Sequence, residues 1–295
     1  MKIKIWGTRG SIPTPSTAAF VTSCYGGDTT CVSIESGQLN VVLDGGSGLR
    51  QLGLEWSEKE MLEAHLFFSH VHWDHIQGFP FFSPAFRAGT TLKMYSPQLQ
   101  SSSAEGKTVL EDALLYQQKS INFPIPLPDM PAAMTFHQLV EKSPVILEDG
   151  SNRLKIIPYA LNHPGGCYGF RIEEYQEEAL NAVFAFCTDH EHSAELNESV
   201  QAIAKDADLL LYDSQYTSEE YQEYIGWGHS TWQAGLKEAQ AANTKRLLLH
   251  HHDPLHHDQT IAAMEADAKA AGDKLGIKTE AARACAEYSI GTNSG

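Results

Sequence analysis

No apolar stretch of this chain approaches the ~18 residues needed to cross a bilayer, so membrane insertion is not expected. The opening segment, MKIKIWGTRGSIPTP, has neither a long apolar core nor a cleavage pattern, and no secretory leader is expected. Cysteine is sparse and scattered. Cys24, Cys31, Cys167, Cys187 and Cys285 are odd in number and none forms a CxxC pair. That excludes a disulfide framework, favours a reduced, cytoplasmic setting, and leaves each cysteine as a small apolar packing residue. Positive charge is also scarce: 21 Lys and Arg face 37 Asp and Glu, for a formal net charge of -16. Such an excess of acid repels polyanions at long range and disfavours broad binding to nucleic acid or to anionic membranes. A small anionic substrate remains compatible, provided the site supplies its own positive charge. The glycine-rich LDGGSG lacks the lysine and the spacing of a phosphate-binding P-loop.

What is present is a long alternation of strand and helix patterns with no low-complexity linker. Strands are expected at MKIKIW, TTCVSIES, LNVVLD, AHLFFS, RLKIIPYAL, GCYGFRI, AVFAFCTD, DLLLYDS and RLLLHH. Helices are expected over 108–120 and near 193–206, 215–224, 231–242 and 258–272. INFPIPLPDMP, with four prolines, cannot be regular helix and reads as an ordered loop at the rim of a site. The whole of 1–295 reads as a single α/β domain. Polar residues gather just past strands, at 44–48, 70–75, 163, 189–192, 213 and 250–253. Binding groups gather at one end of the strands in many α/β folds.

The densest cluster is SHVHWDH, where His70, His72, Asp74 and His75 follow a short apolar run. Residues two apart in an extended segment point the same way, so His70 and His72 can converge on one cation. The following turn lets Asp74 and His75 face a second. Uncharged imidazole and carboxylate together suit borderline divalent metals. Further ligands must come from elsewhere: His163 in LNHPGG, Asp189 in FCTDHEHS, and the run His250, His251, His252.

LDGGSG, SHVHWDH, NHPGG, CTDHE and LLLHHHDP, in that order, resemble the motifs of the metallo-β-lactamase superfamily. GHSTWQAG resembles the His-Ser-Thr loop of its tRNase Z and small-phosphodiesterase branch. The resemblance covers nearly the whole chain. It implies a four-layer αβ/βα sandwich with two divalent metal ions at the sheet edge, zinc by default, with manganese or iron as alternatives. Carried over, it assigns His70, His72 and His163 to one ion, Asp74, His75 and His251 to the other, and Asp189 to the bridge. His250 and His252 stand as fallbacks for His251. Asp44 would hold the ligand loop through hydrogen bonds, or simply form a turn before its glycines. Asp213 would orient a neighbour. His190 and His192 are expected as exposed helix-start residues, and His256 and His257 as solvated ones.

The implied chemistry is phosphodiester hydrolysis by water held between two ions, with Asp74 and His229 as catalytic residues. His229, in GWGHST, is the candidate general acid, and Ser230 or Thr231 would cap the helix that follows. Trp227, Tyr216 and Phe79 are candidates to line the pocket. The expected substrate is a small phosphodiester such as a cyclic nucleotide. Enzymes of the tRNase Z type carry a tRNA-gripping arm between the third and fourth motifs, and here only 25 residues separate His163 from Asp189. Alternatives on the same fold are a hydrolase of carbon esters, thioesters, lactones or β-lactams, or a tRNA 3′ processing endonuclease. A di-iron redox centre is disfavoured because a glutamate usually stands where His72 does. A homodimer is compatible with the resemblance.

Overall fold

Residues 41–43 show how the layers arise. Val41 and Leu43 face one apolar cluster and Val42 faces another, the period-two alternation of a strand covered on both sides. The same split recurs at 209–212, where Leu209 and Leu211 join the first cluster and Leu210 and Tyr212 a third.

The computed structural model describes residues 1–59, 62–98 and 106–291. The first sheet uses β1 (Lys2–Gly7), β2 (Cys31–Ser36), β3 (Leu39–Leu43), β4 (Glu63–Phe67), β5 (Thr91–Pro97) and β6 (Ala133–Leu139). The second uses β7 (Val145–Asp149), β8 (Asn152–Leu161), β9 (Cys167–Gln176), β10 (Ala179–Cys187), β11 (Leu209–Asp213), β12 (Arg246–His250) and β13 (Lys278–Ala281), after which β14 (Glu287–Ser289) returns to the edge of β1. Strand order is β14-β1-β2-β3-β4-β5-β6 in one seven-stranded sheet and β13-β12-β11-β10-β9-β8-β7 in the other. Between the sheets lie Ile5, Leu43, Phe67, Phe170, Phe184, Phe186 and Leu211 among others. Helices α1 (Leu49–Trp56), α2 (Trp73–Ile76) and α3 (Val109–Gln117) pack on the outer face of the first sheet. Of α4 (Glu198–Ala204), α5 (Ser218–Tyr221), α6 (Trp232–Ala241) and α7 (Asp258–Leu275), all but α5 cover the second. The result is the expected αβ/βα sandwich.

Strand direction places the chemistry. β3 to β6 run parallel to one another, and so do β10 to β13. β8 is antiparallel to β9, which is antiparallel to β10, so β8 and β10 point the same way. The chain therefore leaves β8, β10, β11 and β12 at a common edge of the second sheet, carrying 163, 189, 213 and 251.

Several elements differ from the expected set. β5, β6, β7, β13 and β14 have no counterpart in it; all but β5 are edge strands, whose half-wet faces blur the alternation. Helix α1 follows the glycine-rich bend, where only a bend is expected. α4 begins at Glu198 rather than 193, because Asn197 accepts from the Val200 amide and sets the start there. α5 is a single turn, held by a capping box between Thr217 and Glu220. Cys31, Cys167 and Cys187 are buried as expected, but Cys24 and Cys285 are exposed. No helix among the described residues is long and apolar enough to cross a membrane.

Phe186 is fully buried between the sheets, 6.2 Å from the Phe170 ring and 6.5 Å from Phe184. Phe186→Ala is expected to lower unfolding free energy by about 3–5 kcal/mol. Urea unfolding with unchanged m-value is the check.

Candidate metal centre

The site is organised from beneath by Asp44. This residue ends β3 at a φ of 59°, a left-handed conformation uncommon without glycine, and is 1% exposed. Its carboxylate accepts from the Ser69 amide at 2.7 Å and the Ser69 hydroxyl at 2.8 Å. It also accepts from His75 Nδ1 at 2.8 Å. A carboxylate only accepts, so His75 carries its proton on Nδ1 and turns a bare Nε2 to the opposite side. The Ser69 hydroxyl spends its proton on Asp44, so His70 Nδ1, 3.0 Å away, donates to Ser69 Oγ. His70 Nε2 is thereby freed as well. One buried carboxylate fixes the tautomers of two imidazoles.

The other rings are set by carbonyl groups. His163 Nδ1 donates to the Gly228 carbonyl at 2.9 Å, and His251 Nδ1 to Gln215 Oε1 at 2.9 Å. Each again presents Nε2. Two groups of donors result: His70, His72, His163 and Asp189, and Asp74, His75, Asp189 and His251, each with its donor atoms within 4.8 Å of one another. Asp189 belongs to both. Its Oδ2 lies 3.7 Å from His70 and 3.8 Å from His163, and its Oδ1 lies 3.2 Å from His75 and 3.3 Å from His251. Asp74 Oδ2 stands 3.3 Å from both His75 and His251, and accepts from the Ser11 amide at 2.7 Å.

This arrangement fits a pair of divalent cations. Nε2 of His70 and of His75 are buried and make no hydrogen bond. His72 Nδ1 and His163 Nε2 face each other at 3.1 Å. Imidazole nitrogen and carboxylate oxygen together suit a borderline metal such as zinc. Burial alone would drive the His251 imidazole down, but Asp189, Asp74 and Asp213 outweigh it and raise it to about 9. His75 is likewise held well above the usual histidine range, against burial, by Asp189, Asp74 and Asp44. Burial acts to raise Asp74 and Asp189, yet the surrounding imidazoles hold both well below the usual carboxylate range.

All seven residues expected as ligands are thus brought together. Of the histidine run, His251 turns inward, at a φ of 61°. His250 Nε2 instead pairs with the Gly7 carbonyl at 3.0 Å and His252 Nε2 with the Ala282 carbonyl at 3.2 Å, so neither fallback reaches the site. His229 lies beside it, stacked on His251 with ring centroids 4.8 Å apart. Its Nδ1 donates to Asp213 Oδ2 at 2.8 Å, which leaves Nε2 as the ring nitrogen outside that bond. Thr231 caps α6, and Ser230 Oγ meets His192 Nδ1 at 2.9 Å.

Other expectations need correction. His190 is fully buried, because its amide donates to Asp213 and its Nδ1 accepts from the Asn162 amide. His192 is half-buried, packed on Tyr221 with centroids 4.3 Å apart. His256 is buried and pairs with Glu220 at 2.9 Å, and His257 caps α7. Phe79 and Tyr216 are packing residues with almost no exposure, while Trp227 is largely exposed.

Two residues without a role in the sequence pattern matter here. Gln215 orients His251 and donates to Asp253 at 3.1 Å. Glu191 accepts from the Gly226 amide at 2.6 Å, the Gly228 amide at 2.8 Å and the Tyr221 hydroxyl at 3.2 Å. It thereby fixes the loop whose Gly228 carbonyl aligns His163. Gly228 must be glycine: its φ is 89°, and a Cβ would stand 2.3 Å from His163 Nδ1. Glu191 follows Asp189 by two residues, the one sequence signal that could have pointed to it.

A family model described as Beta-lactamase superfamily domain matches residues 40–252, most of the chain and all of the inward-facing donors. The chain belongs to this superfamily. Within it, the chain is 24% identical over 230 residues to ribonuclease Z of Bacillus mycoides, covering 63% of this chain and 69% of that one. The metallo-beta-lactamase fold protein YhfI of Bacillus subtilis superposes with a TM-score of 0.65 at 18% identity, covering 97% of this chain and 98% of that one. A diphosphatase from the PhnP family gives 0.64 at 15% identity, with 99% of each chain covered. These superpositions establish the fold. As a member of the superfamily with two imidazole–carboxylate clusters at its centre, the chain is a metal-dependent hydrolase.

The carboxylates that raise His75 and His251 favour a proton on the Nε2 that a cation needs, so proton and cation compete for it. Zinc titration near neutral pH is expected to release protons, and zinc affinity to rise with pH. Calorimetry in buffers of different ionisation enthalpy measures both. Glu191→Gln is expected to keep the metal content while lowering turnover, by about tenfold for a misaligned site. Elemental analysis beside steady-state kinetics separates the two effects.

Proposed function

We propose that this chain is a dinuclear phosphodiesterase of small phosphodiesters, cyclic nucleotides among them, formed as one hydrolase domain across 1–295. The observation that carries the reading is the His229–Asp213 pair beside two donor clusters that share Asp189. His70, His72 and His163 would hold one cation and Asp74, His75 and His251 the other, with Asp189 between them. Zinc is the first metal to test, with manganese and iron next. Two such cations, when bound, offset phosphoryl charge and lower the pKa of water.

The chain's own residues do the rest. Asp44, Ser69, Gly228 and Gln215 keep four imidazoles in the tautomer that bares Nε2. Asp74, held by the Ser11 amide, keeps a carboxylate at the second cluster. Asp213 fixes the His229 ring, so Nε2 is the nitrogen that can hand a proton to the departing alkoxide.

The sequence relative named ribonuclease Z supports a second reading, tRNA 3′ processing. Against it stand the net charge of -16 and the segment between His163 and Asp189, which consists largely of the paired strands β9 and β10. No room is left there for an RNA-gripping arm.

His229→Ala is expected to keep its metal and to lose about 10²–10⁴-fold in kcat on an alkyl phosphodiester, and far less on a p-nitrophenyl ester, whose leaving group needs no proton. Equal losses on both esters would remove His229 from the acid role. A fully metallated protein inactive on a broad phosphodiester panel, yet active on a tRNA precursor, would replace the main reading with the second. Asp74→Ala, assayed alongside, is expected to lose both activity and metal.

A further inference from the structure

The loop that carries His70, His72 and His75 has a second face. Val71 and Trp73 stand on either side of His72 and line a cleft of about 880 Å³. Its opposite walls come from Tyr116 on α3 and from Ile121 and Phe123 in the proline-rich segment. Phe81 and Phe123 meet edge to face, centroids 5.6 Å apart at 83°, so that wall is already formed.

The cleft leaves large apolar groups in water: Trp73 is 76% exposed, Tyr116 63% and Ile121 89%. Clustered exposure of this kind marks a surface that is covered in use. Asp112 is the one acidic side chain among the described residues that line it, and no Lys or Arg is in that lining. A polynucleotide backbone would find little counter-charge among these residues, since the Lys119 ammonium beside them is engaged 4.3 Å over the Tyr116 ring. The four prolines of 121–131 preset the wall, so little ordering entropy is lost on binding.

We propose that this cleft is a specificity subsite for an uncharged aromatic group carried on the ester oxygen that stays with the phosphate. The proposal rests on the phosphodiesterase reading for its chemistry and on the shared His72 loop for its place. The substrate class it selects is an aryl or nucleoside phosphodiester rather than a simple dialkyl one. The proline-rich segment then lies at the rim of a site, as its composition suggested.

The test holds the leaving group constant. Methyl, phenyl and thymidine 5′-p-nitrophenyl phosphates are compared on the metal-loaded protein. Phenyl and thymidyl esters are expected to exceed the methyl ester in kcat/KM by about tenfold, mainly through KM. In Tyr116→Ala and Ile121→Ala that ratio is expected to fall at least threefold, and in Tyr116→Phe to persist. Thymidyl above phenyl assigns the cleft to a nucleoside; parity of the two assigns it to a plain ring. Equal values for all three esters in the unmodified protein would overturn the proposal. So would a Tyr116→Ala variant that changes the oligomeric state in light scattering but not the ester ratio, which would give this face to a second copy. If no ester is cleaved, the phosphodiesterase reading fails and calorimetry decides the cleft. Tighter binding of phenyl than of methyl phosphate, abolished by Tyr116→Ala, supports it; equal binding of both overturns it.

Discussion

The buried carboxylate of Asp189 is the constraint around which the rest is arranged. An isolated ionised carboxylate taken out of water costs several kcal/mol even after relaxation, unless positive charge meets it. Here both oxygens face imidazole nitrogens at 3.2–3.8 Å and the Thr188 hydroxyl donates at 2.6 Å. The residue is also held at a φ of 50°, so its backbone is committed to this orientation. Asp44 and His251 share that left-handed conformation, each at the end of a parallel strand. Such strain persists where surrounding packing over-determines it, and it gathers where side chains must be aimed.

The interplay of charge explains how an acidic protein can present a site to an anion. The net charge sets the long-range field, which repels polyanions. Within a few ångströms a local donor set dominates, because a buried interaction is screened far less than a surface one. The seven inward-facing donors include only two carboxylates, Asp74 and Asp189, so two divalent cations would leave the centre electropositive. The same logic sets the neighbouring cleft apart: it has almost no charge of its own and differs in kind from the donor clusters.

Much of this was legible in the sequence, for physical reasons that differ from residue to residue. His70, His72, Asp74 and His75 announce themselves because they are adjacent, and a buried strand ends directly before them. His163, Asp189 and the run 250–252 stand out as strand-end polar residues, a rule that follows from parallel strands sharing an edge, and only the family resemblance picks His251 from that run. The edge strands β6, β7, β13 and β14 were not legible, because half-exposed strands carry no clean alternation. Gln215 gave no signal, and Glu191 only its place two residues after Asp189. Their work is done on partners 30 to 38 residues away, such as Gly228 and His251, and nothing local in a chain records such a hydrogen bond. His190 and His192 misled for the converse reason: they look like a polar helix start, yet Asn197 caps the helix further on.

The donors divide four to three by origin. His70, His72, Asp74 and His75 come from the first sheet, and His163, Asp189 and His251 from the second, so each cluster straddles the seam between them. Any cation seated there acts as a rivet joining halves that otherwise meet through apolar side chains. Ligation of the folded form alone adds to its stability by mass action. Metal supply would then govern how firmly the two halves stay in register, as well as whether the enzyme turns over.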